Sequence, residues 1–276
     1  MSSSLIASSN AIFRYYEGLH HEHPILVDEY SVKLASSFKR VKSVVAASNK
    51  LPFVKNILAP LQTVHCIRHA SVDGLFLREL ARTQARQVII LGAGLDSRRL
   101  RFRERLHDVA WIEVDRDGQQ DGKEHFFKEH YPDIDIRFLS RDLNHDMGPQ
   151  FWGEAKLDPA VPTIIIAEGL IHYLNPETWE ALLGSFHFFK NEQSFIFSFI
   201  TPAMVTTART SIKILFQYLQ EIPSLFFSIS EMNLALRDNE FKVVEILELA
   251  DQIDQFAPQA RHRDMNVSQN VGLASK

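Results

Sequence analysis

The stretch Gln87-Val-Ile-Ile-Leu-Gly-Ala-Gly-Leu-Asp-Ser-Arg98 constrains the fold more than any other part of this chain. Val88 to Leu91 form a short apolar, β-branched run, the pattern of a strand buried on both faces. Gly92 and Gly94 end the run, and Asp96 and Ser97 are both good N-cap residues for a helix beyond it. Strand, glycine turn and helix start make up the ligand cradle of open α/β sheets, because glycines let the backbone approach a ligand closely. A dinucleotide fingerprint places a third small residue three positions after the second glycine, for close helix–strand packing. Ser97 stands there, preceded by Asp96, which disfavours an NAD-dependent oxidoreductase on the same sheet.

The flanking sequence repeats the strand–helix alternation. A helix over 65–82, with Val64, Ile67, Val72, Leu75, Phe76 and Leu80 near one apolar face, leads into the first strand. Further strands are predicted over 109–114, 134–139, 161–167 and 194–200, with helices over 119–130 and 176–189. Asn175 suits the N-cap of the latter helix, and Pro176 its first turn. A helix over 230–239 and strands over 241–249 and 267–274 complete a mostly parallel, seven-stranded α/β sheet with right-handed crossovers and helices on both faces. Two helices over 4–17 and 27–38 read as a cap, with Asp28 helping to start the second. Residues 39–50, followed by Pro52 and Pro60, read as a surface helix and connector. His20, His21 and His23 lack a cysteine or an acidic ligand at matched spacing beyond Glu22, so they read as a solvated loop and no metal site is assigned. Residues 204–227, carrying Phe216, Tyr218, Phe226 and Phe227, are too long for a simple crossover. They read either as a lid over a substrate or as aromatics completing the core.

The organisation is thus one domain: a helical cap over 1–64, a core over 65–200, an insertion over 201–229 and the rest of the sheet over 230–276. At 276 residues two independent domains would be cramped. A net charge of −4 gives no bulk attraction to nucleic acid, and no apolar run approaches the roughly 20 residues that span a bilayer. A single cysteine, Cys66, excludes an intramolecular disulfide, and the first 26 residues lack the order of a secretory signal. The expected location is cytoplasmic, with a small-molecule partner and no nucleic acid or membrane; oligomeric state is left open.

Gly92 and Gly94, Asp115, Asp142 and Glu168 each fall at or just past the carboxyl end of a successive strand. In an open α/β sheet those ends share the edge where ligands bind. Asp115 stands at the spacing of a ribose-binding carboxylate, with Glu113 as the alternative. Such an acid-rich edge repels a pyrophosphate and complements the net positive charge of S-adenosylmethionine. Arg68 is a cation able to fork two hydrogen bonds to that cofactor's carboxylate.

Gly-x-Gly-x-Asp is similar to the first motif of S-adenosylmethionine-dependent methyltransferases. Taken with Ile67-Arg-His-Ala-Ser-Val-Asp73, Glu113-Val-Asp115, Arg141-Asp-Leu143 and Ala167-Glu-Gly-Leu-Ile-His-Tyr-Leu174, it resembles the leucine carboxyl methyltransferase family over roughly residues 13–200. That family includes enzymes acting on a protein's C-terminal leucine and bacterial methyltransferases of small molecules and polyketides. The resemblance implies a Rossmann-like class I methyltransferase fold. It implies Arg68 on the methionine carboxylate and Gly92 and Gly94 along the methionine moiety. Asp115 would hold the ribose hydroxyls, Asp142 the adenine amino group with Leu143 beside it, and Glu168 would lie near the cofactor's amino group. Ala70 departs from the second arginine of many members, and Ser97 from the usual threonine.

Methyl transfer to a carboxylate needs no general base, because the acceptor is already ionised near neutral pH. A hydroxyl acceptor is helped by a base, and His172 or Tyr173, just past the fourth strand, are the candidates; otherwise they shape the acceptor pocket. The expected acceptor is a carboxylate, matched by an arginine such as Arg98 or Arg68. A catalytically silent cofactor-binding module is the rival of a different class.

Overall fold

The computed structural model describes residues 5–20, 24–36, 52–148, 150–203, 223–257 and 268–276. Seven strands form one sheet in the order β3-β2-β1-β4-β5-β7-β6. They are β1 (Gln87–Leu91), β2 (Ala110–Asp115), β3 (Arg137–Ser140), β4 (Thr163–Ala167), β5 (Gln193–Ile200), β6 (Lys242–Glu248) and β7 (Gln269–Ser275). β1 to β5 pair in parallel, whereas β7 runs antiparallel to both neighbours. The strand order reverses between β2-β1 and β4, and the crevice at that switch is where such sheets place a ligand.

The apolar runs alternate between two packed faces. Ile89 and Leu91, Ile165 and Ala167, and Phe195, Phe197 and Phe199 enter one core. Val88 and Ile90, Ile164 and Ile166, and Ile196 enter the other. The first core is closed by helices that include α8 (Pro176–Ser185) and α9 (Ile229–Asp238), the second by α3 (Pro52–Thr83) and α10 (Leu249–Phe256). Phe195 stacks on Phe197 with ring centroids 4.9 Å apart. The Phe197 ring lies over Gly272, where a side chain's Cβ would meet Cζ at 2.3 Å. α8 starts as its sequence dictates: the Asn175 side chain accepts from Thr178 N at 2.7 Å, with Pro176 in the first turn. α9 begins with a capping box between Ser228 and Glu231.

Several boundaries differ from the sequence reading. α3 runs back through Pro60 to Pro52, residues expected in a connector. Pro52 falls in the first turn, where a missing N–H leaves no bond unmade, while Pro60 forgoes one. The helix expected after the glycine turn is a single turn, α4 (Arg98–Arg101). Ser97 occupies the N-cap without capping it; its hydroxyl donates to Asp28 Oδ2 at 2.6 Å, and Asp96 Oδ1 accepts from Arg98 N at 2.7 Å. The helix expected over 176–189 ends at Ser185 and continues as a 3₁₀ turn, and α10 was not foreseen. α5 (Asp117–His130), α6 (Leu143–Asp146) and α7 (Phe151–Glu154) complete the crossovers. Two N-terminal helices, α1 (Leu5–His20) and α2 (Ser31–Ser36), pack together, and α1 lies along α3. Asp28 starts α2 through Oδ1, which accepts from Tyr30 N and Ser31 N. The connector at 39–50, His21 and His23, and most of the expected lid, including Phe216 and Tyr218, lie outside the described residues. Of its other two aromatics, Phe227 sits 5.5 Å from Trp179 and packs on the first core.

Candidate functional site

A cavity of about 340 Å³ opens at the carboxyl edge of the sheet. Its walls are residues 92–96 after β1, 115–116 after β2, 141–144 after β3 and 168–170 after β4, with α1 contributing Ala7, Asn10 and Arg14. Arg68, Gly92, Gly94, Asp115, Asp142, Leu143, Glu168 and Tyr173, all singled out from sequence, line it together. His172 does not line it.

Gly92 and Gly94 hold φ of 65° and 47°, the left-handed region that favours glycine. A Cβ on Gly92 would lie 3.0 Å from Leu170, and one on Gly94 would lie 3.3 Å from Ala7. Asp115 holds this turn in place. Its Oδ2 accepts from Gly94 N and its Oδ1 from Arg116 N, both at 2.7 Å. Burial pushes its carboxyl up, and about four lone-pair positions per carboxylate leave room for a diol. Glu113, the alternative, belongs to the core: it is fully buried, ion-paired to the equally buried Lys123, and accepts from Trp111 Nε1 at 3.1 Å. Asp142 caps α6, accepting from Asn144 N at 3.1 Å, which sets Leu143 against the cavity. Asn144 ties this loop to the next, donating to Tyr173 O and accepting from Asn175 N, each at 2.9 Å.

Behind the glycine turn lies a buried charge network centred on Arg98. This side chain is 0% exposed; Nε donates to Asp73 Oδ1 at 2.7 Å, Nη2 to Glu168 Oε2 at 2.6 Å, and Nη1 to Asp96. Glu168 also accepts from Arg68 Nε at 3.0 Å and from His69 Nδ1 at 2.9 Å. Against the push of burial, His69, Arg98 and Arg68 hold its carboxyl well below the usual range. His69 Nε2 lies 2.8 Å from Arg101 Nη2, which can only donate, so the proton of the neutral ring is assigned to Nδ1. Burial and then Arg98 keep that ring neutral by lowering its pKa. Arg98 was expected to meet an acceptor's charge; its bonds to Asp73, Asp96 and Glu168 commit it to the framework instead. Arg68 keeps its place at the cavity, with Nη1 donating to Gln269 at 3.1 Å and Nη2 lying 3.5 Å from where a side chain on Gly169 would begin.

α1 joins the site through Arg14, which donates to Leu95 O at 2.6 Å and to Asp28 Oδ2 at 2.9 Å. Nothing in the helical period of 4–17 distinguishes Asn10 or Arg14 from other polar positions, and so their place at the cavity was missed. His172 is 7% exposed, its ring 4.2 Å from that of Tyr173. Burial and then the Arg68 charge lower its pKa to about 3. Among the described residues no group of three or more His, Cys, Asp or Glu side chains could hold a metal ion. No helix among them is long and apolar enough to cross a membrane.

These residues fit S-adenosylmethionine. Two glycines leave the cradle open, a carboxylate after β2 faces it, and the Arg68–Glu168 pair offers opposite charges to the ammonium and carboxylate of an amino-acid moiety. The sequence model of the leucine carboxyl methyltransferases matches residues 7–187. The chain belongs to the leucine carboxyl methyltransferase family. A Mycolicibacterium smegmatis protein provisionally named an S-adenosyl-L-methionine-dependent methyltransferase is 38% identical over 113 residues, 40% of this chain and 36% of the relative. A Frankia alni protein with the same provisional name is 36% identical over 121 residues, 43% of this chain and 39% of the relative. The chain thus matches little more than a third of the length of these relatives. S-adenosylmethionine is the cofactor to which these likenesses point. Among solved structures, a DUF574-family protein of Streptomyces avermitilis superposes with a TM-score of 0.63 at 12% identity, covering 97% of both chains. A Thermobifida fusca protein, provisionally called a methyltransferase, superposes at 0.57 with 16% identity, covering 96% of this family member and 94% of that chain. At such identities the likeness is one of fold, and the fold is the Rossmann-like methyltransferase sheet.

Proposed function

We propose that this family member transfers a methyl group from S-adenosylmethionine to a carboxylate oxygen of a small molecule, giving a methyl ester. The cofactor, when bound, supplies a methyl group on a sulfonium, with a neutral thioether as leaving group. An acceptor carboxylate would take that methyl group without giving up a proton, so this chain's residues would need to supply no base. What the chain does is hold and exclude. Gly92 and Gly94 admit the methionine moiety, Arg68 and Glu168 orient its charged end, Asp115 takes the ribose hydroxyls, and Asp142 with Leu143 takes the adenine. Alignment of oxygen and methyl then carries the rate, because proximity alone supplies a large part of such barriers.

The choice of acceptor rests on His172. Its ring does not line the cavity, and a pKa of about 3 suits it poorly to taking a proton from a hydroxyl. A carboxylate, ionised above a pKa of about 4, makes no such demand. Tyr173 does line the cavity, so a hydroxyl acceptor would turn to it as base. Incubation with methyl-labelled cofactor and a panel of carboxylic acids and their alcohols, followed by mild alkali, separates the two. Methanol released from the acid products supports the ester. Label stable to alkali refutes it, and no transfer to any acceptor, with the cofactor bound, favours a silent binding module.

A further inference from the structure

Arg68 meets the cavity with only part of its guanidinium. Nε donates to Glu168 Oε1 at 3.0 Å and Nη1 to Gln269 Oε1 at 3.1 Å. Among the described residues no atom accepts from Nη2. That nitrogen lies 3.5 Å from where a Cβ on Gly169 would stand, and Gly169 lines the cavity. At φ 68° the position favours glycine, which leaves Nη2 uncovered. With the side chain 7% exposed, the two acceptors fix which nitrogen faces a ligand.

The two acceptors differ in kind. Glu168 stands in the cavity wall, and its Oε2 is already shared by His69 and Arg98. Gln269 does not line the cavity; it opens β7, opposite Ile200 at the end of β5. Because β7 is antiparallel, its first residue lies at the carboxyl edge of the sheet, where a parallel strand would bring its last. Ser268 O accepts from Thr201 N at 2.8 Å and pins that end of the strand. The Gln269 amide is also neutral, so it holds Nη1 without cancelling the charge. A carboxylate in its place would set a second anion on a guanidinium that Glu168 already pairs.

We propose that Gln269 is a positioning residue for the cofactor: by accepting from Nη1 it turns Arg68 so that Nη2 is presented to the methionine carboxylate of S-adenosylmethionine. The assignment rests on the cofactor-binding role given to Arg68 above, and adds to it the residue that aims the fork. Released from Gln269, the guanidinium pivots about its bond to Glu168, and binding must then order a side chain rich in rotamers. Gln269 itself touches no ligand. Its influence is confined to ligands that carry the amino-acid end, because Arg68 is the group through which it acts.

Calorimetry on the full chain tests this with two probes: S-adenosylhomocysteine, and 5′-methylthioadenosine, which keeps the adenosine and the sulfur but has neither ammonium nor carboxylate. Gln269→Met, close in length and volume, should weaken S-adenosylhomocysteine about fivefold or more, part of the worth of a hydrogen bond to a charged group. The affinity for 5′-methylthioadenosine should stay as in the parent. In an Arg68→Met background the same substitution should weaken S-adenosylhomocysteine no further, because residues in one hydrogen-bonded unit are not additive. Equal loss for both probes would mean that Gln269 merely supports β7, and overturns the proposal. Unchanged S-adenosylhomocysteine affinity overturns it too, as does a loss of the same size with Arg68 absent. Should Gln269→Met fail to fold, Gln269→Glu decides: the acceptor stays and a charge is added, so S-adenosylhomocysteine should weaken while 5′-methylthioadenosine holds. Full S-adenosylhomocysteine affinity in that variant overturns the proposal. A parent that binds neither probe would remove the methyl-transfer reading and this assignment with it. A parent that binds S-adenosylhomocysteine no better than Arg68→Met does leaves that reading standing and overturns this assignment alone.

Discussion

Glu113 and Asp115 are two residues apart on β2, and only Asp115 faces the cavity. Glu113 and Lys123 are both 0% exposed and form an ion pair. Lys123→Met therefore strands a buried carboxylate with one remaining donor, Trp111 Nε1. Breaking a buried pair from one side costs about 3–5 kcal/mol, and Glu113→Gln, which strands the ammonium, should cost a similar amount. The double variant keeps an acceptor for Trp111 and leaves no charge behind, so it should return to within about 1 kcal/mol of the parent, a coupling of several kcal/mol between neighbours. Burial raises the Glu113 carboxyl even in the parent, and loss of Lys123 raises it further. Between the unfolded value of about 4.3 and that raised value the native state holds more protons than the unfolded one. Stability of Lys123→Met should consequently recover as pH falls from 7 to 5, by up to about 1.4 kcal/mol per pH unit. Urea unfolding followed by tryptophan fluorescence measures all four corners of the cycle. Calorimetry should then show the double variant binding S-adenosylhomocysteine as the parent does. Additive destabilisation, or a double variant that is stable yet cannot bind, would refute the assignment of Glu113 to the core.

Asp115→Ala should weaken S-adenosylhomocysteine by about 1.5–3 kcal/mol, the range for a charge-assisted hydrogen bond, and Asp142→Ala by a similar amount, both read by calorimetry on folded protein. His172 stays neutral down to about pH 3, whereas in the unfolded chain it takes up a proton below about 6.5, so its contribution destabilises the fold increasingly as pH drops through that window. His172→Phe should flatten the acid limb of the stability profile by an amount on the order of 3 kcal/mol, measured by denaturant unfolding from pH 7 to pH 4. Gly272→Ala drives a methyl group into the Phe197 ring, and the overpacking should lower stability by about 1–3 kcal/mol without changing cofactor affinity, which thermal unfolding and calorimetry together would show.

The centre of the parallel sheet was legible because β1 and β4 are continuous apolar runs, such as Val88–Leu91, whose burial on both faces leaves no alternation to confuse with a helix. The cavity was legible for the same reason: residues at the ends of such runs share one edge whatever the details of packing. Roles within the edge were less so. Arg98 reads as a cation to match an acceptor's carboxylate until Asp73, Asp96 and Glu168, from three different elements, are seen to converge on it. Ser97 reads as a helix cap, yet its hydroxyl turns to Asp28, 69 residues away. Local propensity carries no trace of either contact. The contribution of α1 was hidden likewise, because an amphipathic helix declares that it has a buried face and not what the face meets.

The antiparallel β7 has a bearing on how the protein comes to be made. β6 emerges from the ribosome before β7, and among the described residues β7 is its one neighbour in the sheet. Until β7 slots between β5 and β6, Phe197 has no glycine to cover and both strands stand with an open edge, the state in which nascent chains pair wrongly. Gln269, at the start of β7, is also the residue that holds Arg68 from across 201 positions of chain. On the proposed role of Arg68, the cofactor's charged end would be organised by a contact that cannot form while the ribosome is still making the insertion, so binding competence should come late in synthesis, together with escape from aggregation.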